Sequence, residues 1–187
     1  MGKTFYFIRH GQTDWNKKHV FQGCNDIPLN DVGVQQAIER APSLNQFQNL
    51  QLFTSPLSRA SKTAELMAEN SDYEGSIIEI QDIRECESQE TAKWLMRQKL
   101  KSETLPSFEK LVKNGESPEA FVQRVGSAVE SVLEMSGDKT PLIVAHGGTC
   151  TGICGYFGCE IIRTPNCCLV EFEWFQDRYY VRVLDDE

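Results

Sequence analysis

The chain has 187 residues, of which 40% are hydrophobic and 25% are charged, and its formal net charge is −8. This acidic balance argues against a general binder of nucleic acid or of an anionic membrane. It does not exclude a small anionic substrate, because a local basic pocket can lie within an acidic protein. A chain of this length can bury a sizeable core, so we expect one domain over residues 1–187.

The sequence also bears on location. It contains no apolar run of about 18 residues, and its first residues lack the apolar core and cleavage site of a signal peptide. Seven cysteines are an odd count in a chain large enough to fold without disulfides. We therefore expect a cytoplasmic protein with reduced thiols and no membrane span.

The first predicted element is a strand from Lys3 to Ile8, an apolar and aromatic run that ends in Arg9-His10-Gly11. Ligand crevices form at strand ends in open α/β sheets. Arg9 offers donors suited to phosphate or carboxylate oxygens, and His10 could attack phosphorus or move a proton. Taken alone, these three residues are equally compatible with a surface turn.

Residues 10–28 are predicted to be a long irregular loop, a kind of segment that is usually functional. Asn30 is typical of an N-cap, and the following helix should end at Pro42. A second strand is predicted from Leu50 to Thr54. Ser55-Pro56 should then begin a helix, which puts Arg59 in or next to a first turn that favours anions.

A third strand is predicted from Ser76 to Ile80, and Ile83-Arg84-Glu85 follows it. Two helical pieces, Gln89 to Leu100 and Pro106 to Val112, should make residues 86–116 a short helical insert. A basic run lies along the first piece and ends one residue beyond it. Its members are Lys93, Arg97, Lys99 and Lys101. We favour a solvated helix face for this run, with contact to a remote anionic group of a substrate as the alternative.

The last third of the chain repeats the opening arrangement. A helix capped by Ser117-Pro118 should run to Gly137, and an apolar, central strand should follow from Pro141 to Ala145. That strand ends in His146-Gly147, as the first strand ends in a histidine and a glycine. A helix from Cys150 to Phe157 and a hairpin complete the prediction. The hairpin strands are Cys168 to Trp174 and Tyr179 to Leu184.

Four polar groups therefore follow predicted strands or begin a helix. They are His10, Arg59, Glu85 and His146. If the strands lie in one parallel sheet, these groups converge on one edge. His19 lacks such a setting, so we expect it to have no role in the site.

An ordered set of motifs resembles the histidine phosphatase superfamily, the phosphoglycerate mutase-like proteins. The motifs are Arg9-His10-Gly11-Gln12-Thr13 with Trp15-Asn16, Thr54-Ser55-Pro56-Leu57-Ser58-Arg59-Ala60, Ile83-Arg84-Glu85 and Ala145-His146-Gly147-Gly148. The resemblance covers residues 4–175. It implies a three-layer α/β/α sandwich around a mostly parallel central sheet.

The resemblance further implies a metal-independent phosphomonoester phosphatase without a cofactor. His10 would form a phosphohistidine, and Glu85 would protonate the leaving group and then deprotonate water. Arg9, Arg59 and His146 would face the phosphoryl oxygens. The remaining pocket residues would be Asn16, Gln22, Gly23, Gly147 and the backbone of Thr149.

The branch of the family also follows from the motifs. The acid-phosphatase branch is expected to have a longer Arg-His-Gly motif and an aspartate after the second histidine. Gln12-Thr13 and Gly147 occupy those places here. The general acid therefore belongs to the separate segment that holds Glu85, and Glu87 is the fallback.

The sequence gives no sign of a metal site. No histidine–carboxylate cluster has ligand spacing, and the gaps between Cys150, Cys154 and Cys159 do not match common zinc knuckles. Together with the neighbouring pair Cys167-Cys168, these residues are expected to be buried thiols.

The activity is less closely defined than the family. Many relatives have a Gly-Trp-x-Gly-like run where this chain has Cys86 to Ala92, so substrate contacts there do not carry over. A short insert favours an open pocket, and hence hydrolysis over transfer. A phosphoglycerate-type mutase and a non-catalytic phosphate-binding module are the alternatives. The expected partner is a phosphorylated small molecule or phosphoprotein, and the sequence does not indicate an oligomeric state.

Overall fold

A mixed sheet and the helices on its two faces make up the fold. The computed structural model describes residues 2–99 and 111–184. The strands are β1 (Phe5–Arg9), β2 (Leu50–Thr54), β3 (Ile77–Glu79), β4 (Thr140–Ala145), β5 (Leu169–Phe175) and β6 (Arg178–Val183). The α-helices are α1 (Asp14–Lys17), α2 (Asp31–Arg40), α3 (Ser58–Glu69), α4 (Gln89–Lys99), α5 (Pro118–Met135) and α6 (Gly147–Phe157). Two 3₁₀ helices span Ala41–Gln46 and Gln81–Ile83.

The strand order is β3-β2-β4-β1-β5-β6. The first four strands in this order are parallel, and β5 and β6 extend the sheet in antiparallel fashion. Arg9 is in register with Ala145, so β1 and β4 end at the same level. The next residues are His10 and His146, and the sheet therefore sets the two histidines side by side.

Alternation along the central strands divides the core into two layers. Phe7 of β1 and Ile143 of β4 face a core shared with α5 and α6. Ile8 and Val144 face the opposite core, shared with α2 and α3. The strand β4 is buried on both faces, as its continuous apolar sequence predicts. The predicted α/β architecture around a mostly parallel sheet is confirmed.

The structure differs from the prediction at two places in the first third of the chain. The loop of residues 10–28 contains the helix α1, which Thr13 and Asn16 cap reciprocally. The helix α3 begins at Ser58 and not at Ser55-Pro56. Its N-terminus is capped from a distant loop, because the Ser58 N–H donates to Asp26 Oδ1 over 2.8 Å. A local sequence pattern does not reveal such a cap.

The second half of the chain follows the prediction closely. Ser117 caps α5 through its hydroxyl, and Gly137 follows the helix with φ of 53°. The helix α6 begins at Gly147, three residues before the predicted start. The closing hairpin turns at Gln176 and Asp177, both with positive φ.

The predicted insert is described in part. The helix α4 matches the first predicted piece. Of the second piece, Pro106 to Val112, residues 106–110 lie outside the described residues, and Val112 forms an isolated parallel bridge with Ser88. All seven cysteines lie in the described parts, and none of them forms a disulfide. Among the helices described, we find none with the length and apolar character needed to cross a membrane.

Candidate active site

His10 lies directly beyond β1 and is only 3% exposed. Its backbone N–H donates to the carbonyl of Ala145 on β4 over 2.9 Å. Its Nδ1 lies 2.7 Å from the carbonyl oxygen of Gly11. Because a carbonyl only accepts, Nδ1 carries the proton and Nε2 keeps its lone pair. The ring is therefore held in the tautomer of a nucleophile.

Burial is the main cause that lowers the pKa of His10 well below its usual 6.5, and the positive charges of Arg59 and Arg9 lower it further. The ring is consequently neutral at neutral pH. A neutral imidazole is the form that can attack an electrophile.

His146 lies beyond β4, with its ring centroid 5.3 Å from that of His10. Its Nε2 is 2.8 Å from the hydroxyl oxygen of Ser55, which follows β2. Burial, followed by the charge of Arg59, lowers the pKa of His146 well below its usual value. Three neighbouring parallel strands thus each contribute a polar group at the same edge.

Arg59 occupies the first turn of α3 and is only 1% exposed. Its Nη1 donates to the carbonyl of Asn25 over 2.8 Å, and its Nη2 donates to the carbonyl of Gly23 over 2.7 Å. Gly23 presents its carbonyl from a backbone with φ of 53°, which favours glycine. Burial lowers the pKa of Arg59 to about 10, so the side chain is still charged at neutral pH.

Arg9 is the last residue of β1, and its Nη1 donates to the carbonyl of Thr164 over 2.8 Å. Burial lowers the pKa of Arg9, and the charge of Glu85 acts in the opposite direction. Glu85 also raises the pKa of Arg59. One carboxylate therefore lies within electrostatic range of both arginines.

The site gathers buried polar atoms that have no protein partner. Among the described residues five such side-chain atoms occur, and four belong to this site. These four are Arg9 Nε, Arg59 Nε, His146 Nδ1 and Thr164 Oγ1. Buried donors are normally satisfied, so a cluster of this kind is suited to hold an oxyanion.

Glu85 is 6% exposed and faces the N-terminus of α6. Its Oε2 accepts from the N–H of Gly148 over 2.8 Å, and its Oε1 accepts from the N–H of Cys86 over 3.0 Å. A Cβ on Gly148 would lie 1.9 Å from Oε1, so only glycine permits this approach. Glu87, the fallback acid of the sequence analysis, is exposed.

The predicted pocket residues mostly have supporting contacts. Gln22 is buried and accepts from the hydroxyl of Thr13 over 3.0 Å. The side-chain oxygen of Asn16 accepts from the N–H of Thr13 over 3.1 Å. Thr149 is fully buried and donates its hydroxyl to the carbonyl of Ile83 over 3.1 Å. Gly147 is the first residue of α6. Contacts of these residues with phosphate stay predictions.

Two residues near the site have no motif signal in the sequence. Thr164 accepts from Arg9 through its carbonyl, and its own buried hydroxyl has no partner. Asn166 donates its amide to the carbonyl of His10 over 2.8 Å. Both lie in the irregular segment between α6 and β5, where local periodicity carries no information.

The charge of the site comes from side chains. Within residues 2–99 and 111–184, no three histidines, cysteines or carboxylates are grouped so that they could hold a metal ion. Arg9 and Arg59 supply the buried positive charge, and the two histidines supply a neutral nucleophile and a donor. This set can bind a phosphoryl group, accept it on nitrogen and move a proton at Glu85.

Comparison with protein families agrees with this chemistry. The family described as the histidine phosphatase superfamily (branch 1) matches residues 5–187. The chain belongs to that family, which confirms the resemblance identified from its motifs.

Two similar proteins have the names of a phosphatase and of a mutase. An uncharacterized phosphatase, PhoE of Bacillus subtilis, is 29% identical over 180 residues, which cover 94% of this chain and 90% of the relative. A probable phosphoglycerate mutase, GpmB of Escherichia coli, is 29% identical over 153 residues, which cover 76% of this chain and 68% of the relative. The family and these relatives support a phosphatase or mutase enzyme.

The fold also matches a solved structure, that of a phosphoserine phosphatase mutant from Entamoeba histolytica in complex with phosphoserine. The TM-score is 0.71, the identity is 23%, and the match covers 97% of this chain and 95% of that chain. At this identity the likeness concerns the fold.

Proposed function

We propose that this protein hydrolyses phosphomonoesters through a phosphohistidine on His10, without a metal. The observation that carries the proposal is the 2.7 Å contact between His10 Nδ1 and the carbonyl oxygen of Gly11, which leaves Nε2 as a base beside buried cations. The expected partner is a phosphorylated small molecule or phosphoprotein in the cytoplasm. One domain over residues 1–187 would contain all of this machinery.

In the first step, His10 Nε2 attacks phosphorus, the N–P bond forms and the ester P–O bond breaks. Glu85 in its acid form gives its proton to the departing oxygen and becomes a carboxylate. In the second step that carboxylate takes a proton from water as the water oxygen attacks phosphorus. The N–P bond breaks, inorganic phosphate leaves and Glu85 is an acid again.

Charge on the transferring phosphoryl group would be met by Arg9, Arg59 and His146. The two Nε–H groups are buried without protein partners, which suits them to phosphoryl oxygens. His146 can donate from Nδ1 while its Nε2 accepts from the hydroxyl of Ser55. Each donor would then gain the partner that it lacks within the protein.

The test is turnover of an aryl phosphate in excess EDTA, measured for the wild type and for His10→Ala. We expect turnover in the wild type and none in the variant. Acid quenching during turnover should trap acid-labile phosphate on the wild type alone. Full activity of the variant would contradict the proposal.

A mutase is the second candidate, because one curated relative has the name of a probable phosphoglycerate mutase. Isotope exchange between isomeric phosphoglycerates or phosphosugars distinguishes it from a hydrolase. A non-catalytic phosphate-binding module would bind a phosphate analogue and turn over no ester. The site retains all five polar residues that the chemistry needs, which argues against a non-catalytic module. These are Arg9, His10, Arg59, Glu85 and His146.

A remote anionic group of the substrate could contact the basic run. Lys93 and Arg97 are exposed on α4, and the side chain of Lys99 lies outside the described residues. Arg163 is an alternative, since it is exposed and its charge contributes to the lowered pKa of Arg9. Charge reversal at the three α4 cations, compared with Arg163→Glu, tests both ideas. If KM is unchanged across phosphate esters in the triple variant, the basic run does not contact the substrate. If KM is unchanged in Arg163→Glu, Arg163 does not contact it.

A further inference from the structure

The backbone that carries Glu85 is held mainly by side chains. It follows the 3₁₀ helix Gln81–Ile83 and lies beyond the edge strand β3, where no sheet ladder fixes it. Arg124 on α5 donates its Nη1 to the carbonyls of Asp82 over 2.7 Å and of Arg84 over 3.2 Å. Two of the three carbonyls that precede Glu85 are therefore bound by one guanidinium.

The other two carbonyls of this segment also accept side-chain donors. Thr149 on α6 donates its hydroxyl to the carbonyl of Ile83 over 3.1 Å. Cys24 donates its thiol to the carbonyl of Glu85 itself over 2.8 Å. Four consecutive carbonyls, from residue 82 to residue 85, thus receive hydrogen bonds from α5, α6 and the loop of residue 24.

Glu116 locks Arg124 in this position. Its carboxylate accepts from Arg124 Nε over 2.7 Å and from Nη2 over 2.8 Å, and both side chains are mostly buried. A two-bond pair of this kind fixes the plane of the guanidinium. The remaining nitrogen, Nη1, is the one that donates to the carbonyls of Asp82 and Arg84.

Glu116 also binds the part of the chain that follows Glu85. Its backbone carbonyl accepts from the hydroxyls of Ser88 and Thr91 at the start of α4. Arg124 therefore holds the backbone before Glu85, and its ion-pair partner Glu116 holds the backbone after Glu85. Neither Glu116 nor Arg124 has a role in the phosphate chemistry described above.

We propose that Arg124, locked by Glu116, is a positioning residue that sets the Glu85 carboxyl for proton transfer. This role depends on the proposed function, because it matters only if Glu85 moves a proton. Arginine is required, because lysine offers one point charge and cannot bridge a carboxylate and two carbonyls in one plane.

The test compares two esters in the Arg124→Met variant. The value of kcat/KM reports the steps up to departure of the leaving group. An alkyl phosphate needs a proton at that step, whereas an aryl phosphate with a good leaving group does not. We expect kcat/KM to fall at least about 10-fold for the alkyl ester and to change less than about 3-fold for the aryl ester, since general acid catalysis contributes about 10²–10⁴-fold.

Two further variants test whether the effect is specific to the pair of Arg124 and Glu116. Arg182→Met breaks another arginine–glutamate pair, that with Glu171 on β5, and should leave both esters unaffected. Glu116→Gln should give a smaller loss than Arg124→Met with the same preference for the alkyl ester. An equal loss for both esters in Arg124→Met, or no loss, would overturn the proposal.

A second measurement does not depend on activity. The N–H groups of Cys86 and Gly148 donate to the Glu85 carboxyl, so their hydrogen exchange reports where that carboxyl lies. Exchange at both should accelerate in Arg124→Met and not in Arg182→Met. Unchanged exchange would overturn the proposed role of Arg124. Failure of the proposed function would instead appear as no turnover of either ester by the wild type.

Discussion

The two halves of the site are built differently. The phosphate half has His10 and His146 beyond neighbouring parallel strands in register, and Arg59 in the first turn of a helix. The acid half has Glu85 on an irregular segment, held by hydrogen bonds from two helices and a loop. The sheet fixes the first half, and side-chain contacts fix the second. Substitutions in the halves should therefore have different kinetic effects.

Loss of Arg59 should have the largest effect. Arg59→Met removes a buried charge from the phosphate half, and we expect kcat/KM to fall about 10³-fold for alkyl and aryl esters alike. Arg59→Lys keeps the charge but cannot donate to both carbonyls as the guanidinium does. Its kcat/KM should therefore also fall for both esters, but by a smaller factor. A loss confined to alkyl esters would contradict the division of the site into halves.

Gly148→Ala tests the acid half directly. The added Cβ would meet Glu85 Oε1 at 1.9 Å and displace the carboxyl. We expect kcat/KM for an alkyl ester to fall about 10²-fold, and much less for an aryl ester. Gly155→Ala in the same helix is the control, because its Cβ would meet only Val122 methyls, no closer than 3.6 Å. If both variants behave alike, the close approach to Glu85 is unimportant.

The pH dependence tests the state of the phosphate half. Burial lowers the pKa of His10, so below the usual value of 6.5 the unfolded chain binds more protons than the folded one. The free energy of unfolding should thus decrease as pH falls from about 6.5 towards the pKa of folded His10. In ligand-free protein, the NMR titration midpoint of His10 should lie below 6.5. A midpoint at or above that value would contradict the neutral nucleophile.

Cys24 should give the smallest effect. Cys24→Ala removes one donor from the carbonyl of Glu85, and one neutral hydrogen bond contributes about 1 kcal/mol. We expect kcat/KM for an alkyl ester to fall about 5-fold, in line with that energy. Cys24→Ser keeps a donor and should retain more activity than Cys24→Ala. Equal losses in the two variants would show that the hydrogen bond is not the cause.

Prediction from the sequence succeeded where the signal was local. The strand β2 matches its predicted bounds, β4 starts one residue before its predicted start, and the ends of β1 differ by one or two residues from the prediction. Apolar runs between turn residues are strong signals. The start of α3 was wrong, because its cap comes from Asp26, 32 residues earlier in the chain. Thr164 and Asn166 were missed, because they lie in an irregular segment without a motif.

The sequence by itself determined the family, the positions of the central strands and the four polar groups that follow strands or begin a helix. Each of these depends on residues that are neighbours in the chain. Only the tertiary structure decided how Glu85 is held, because its supporting donors are remote in sequence: Cys24 lies 61 residues from it, and Thr149 lies 66 residues from Ile83. Hydrogen bonds between residues so far apart in the chain require the packed helices and sheet that bring the partners together, and no local pattern encodes their geometry.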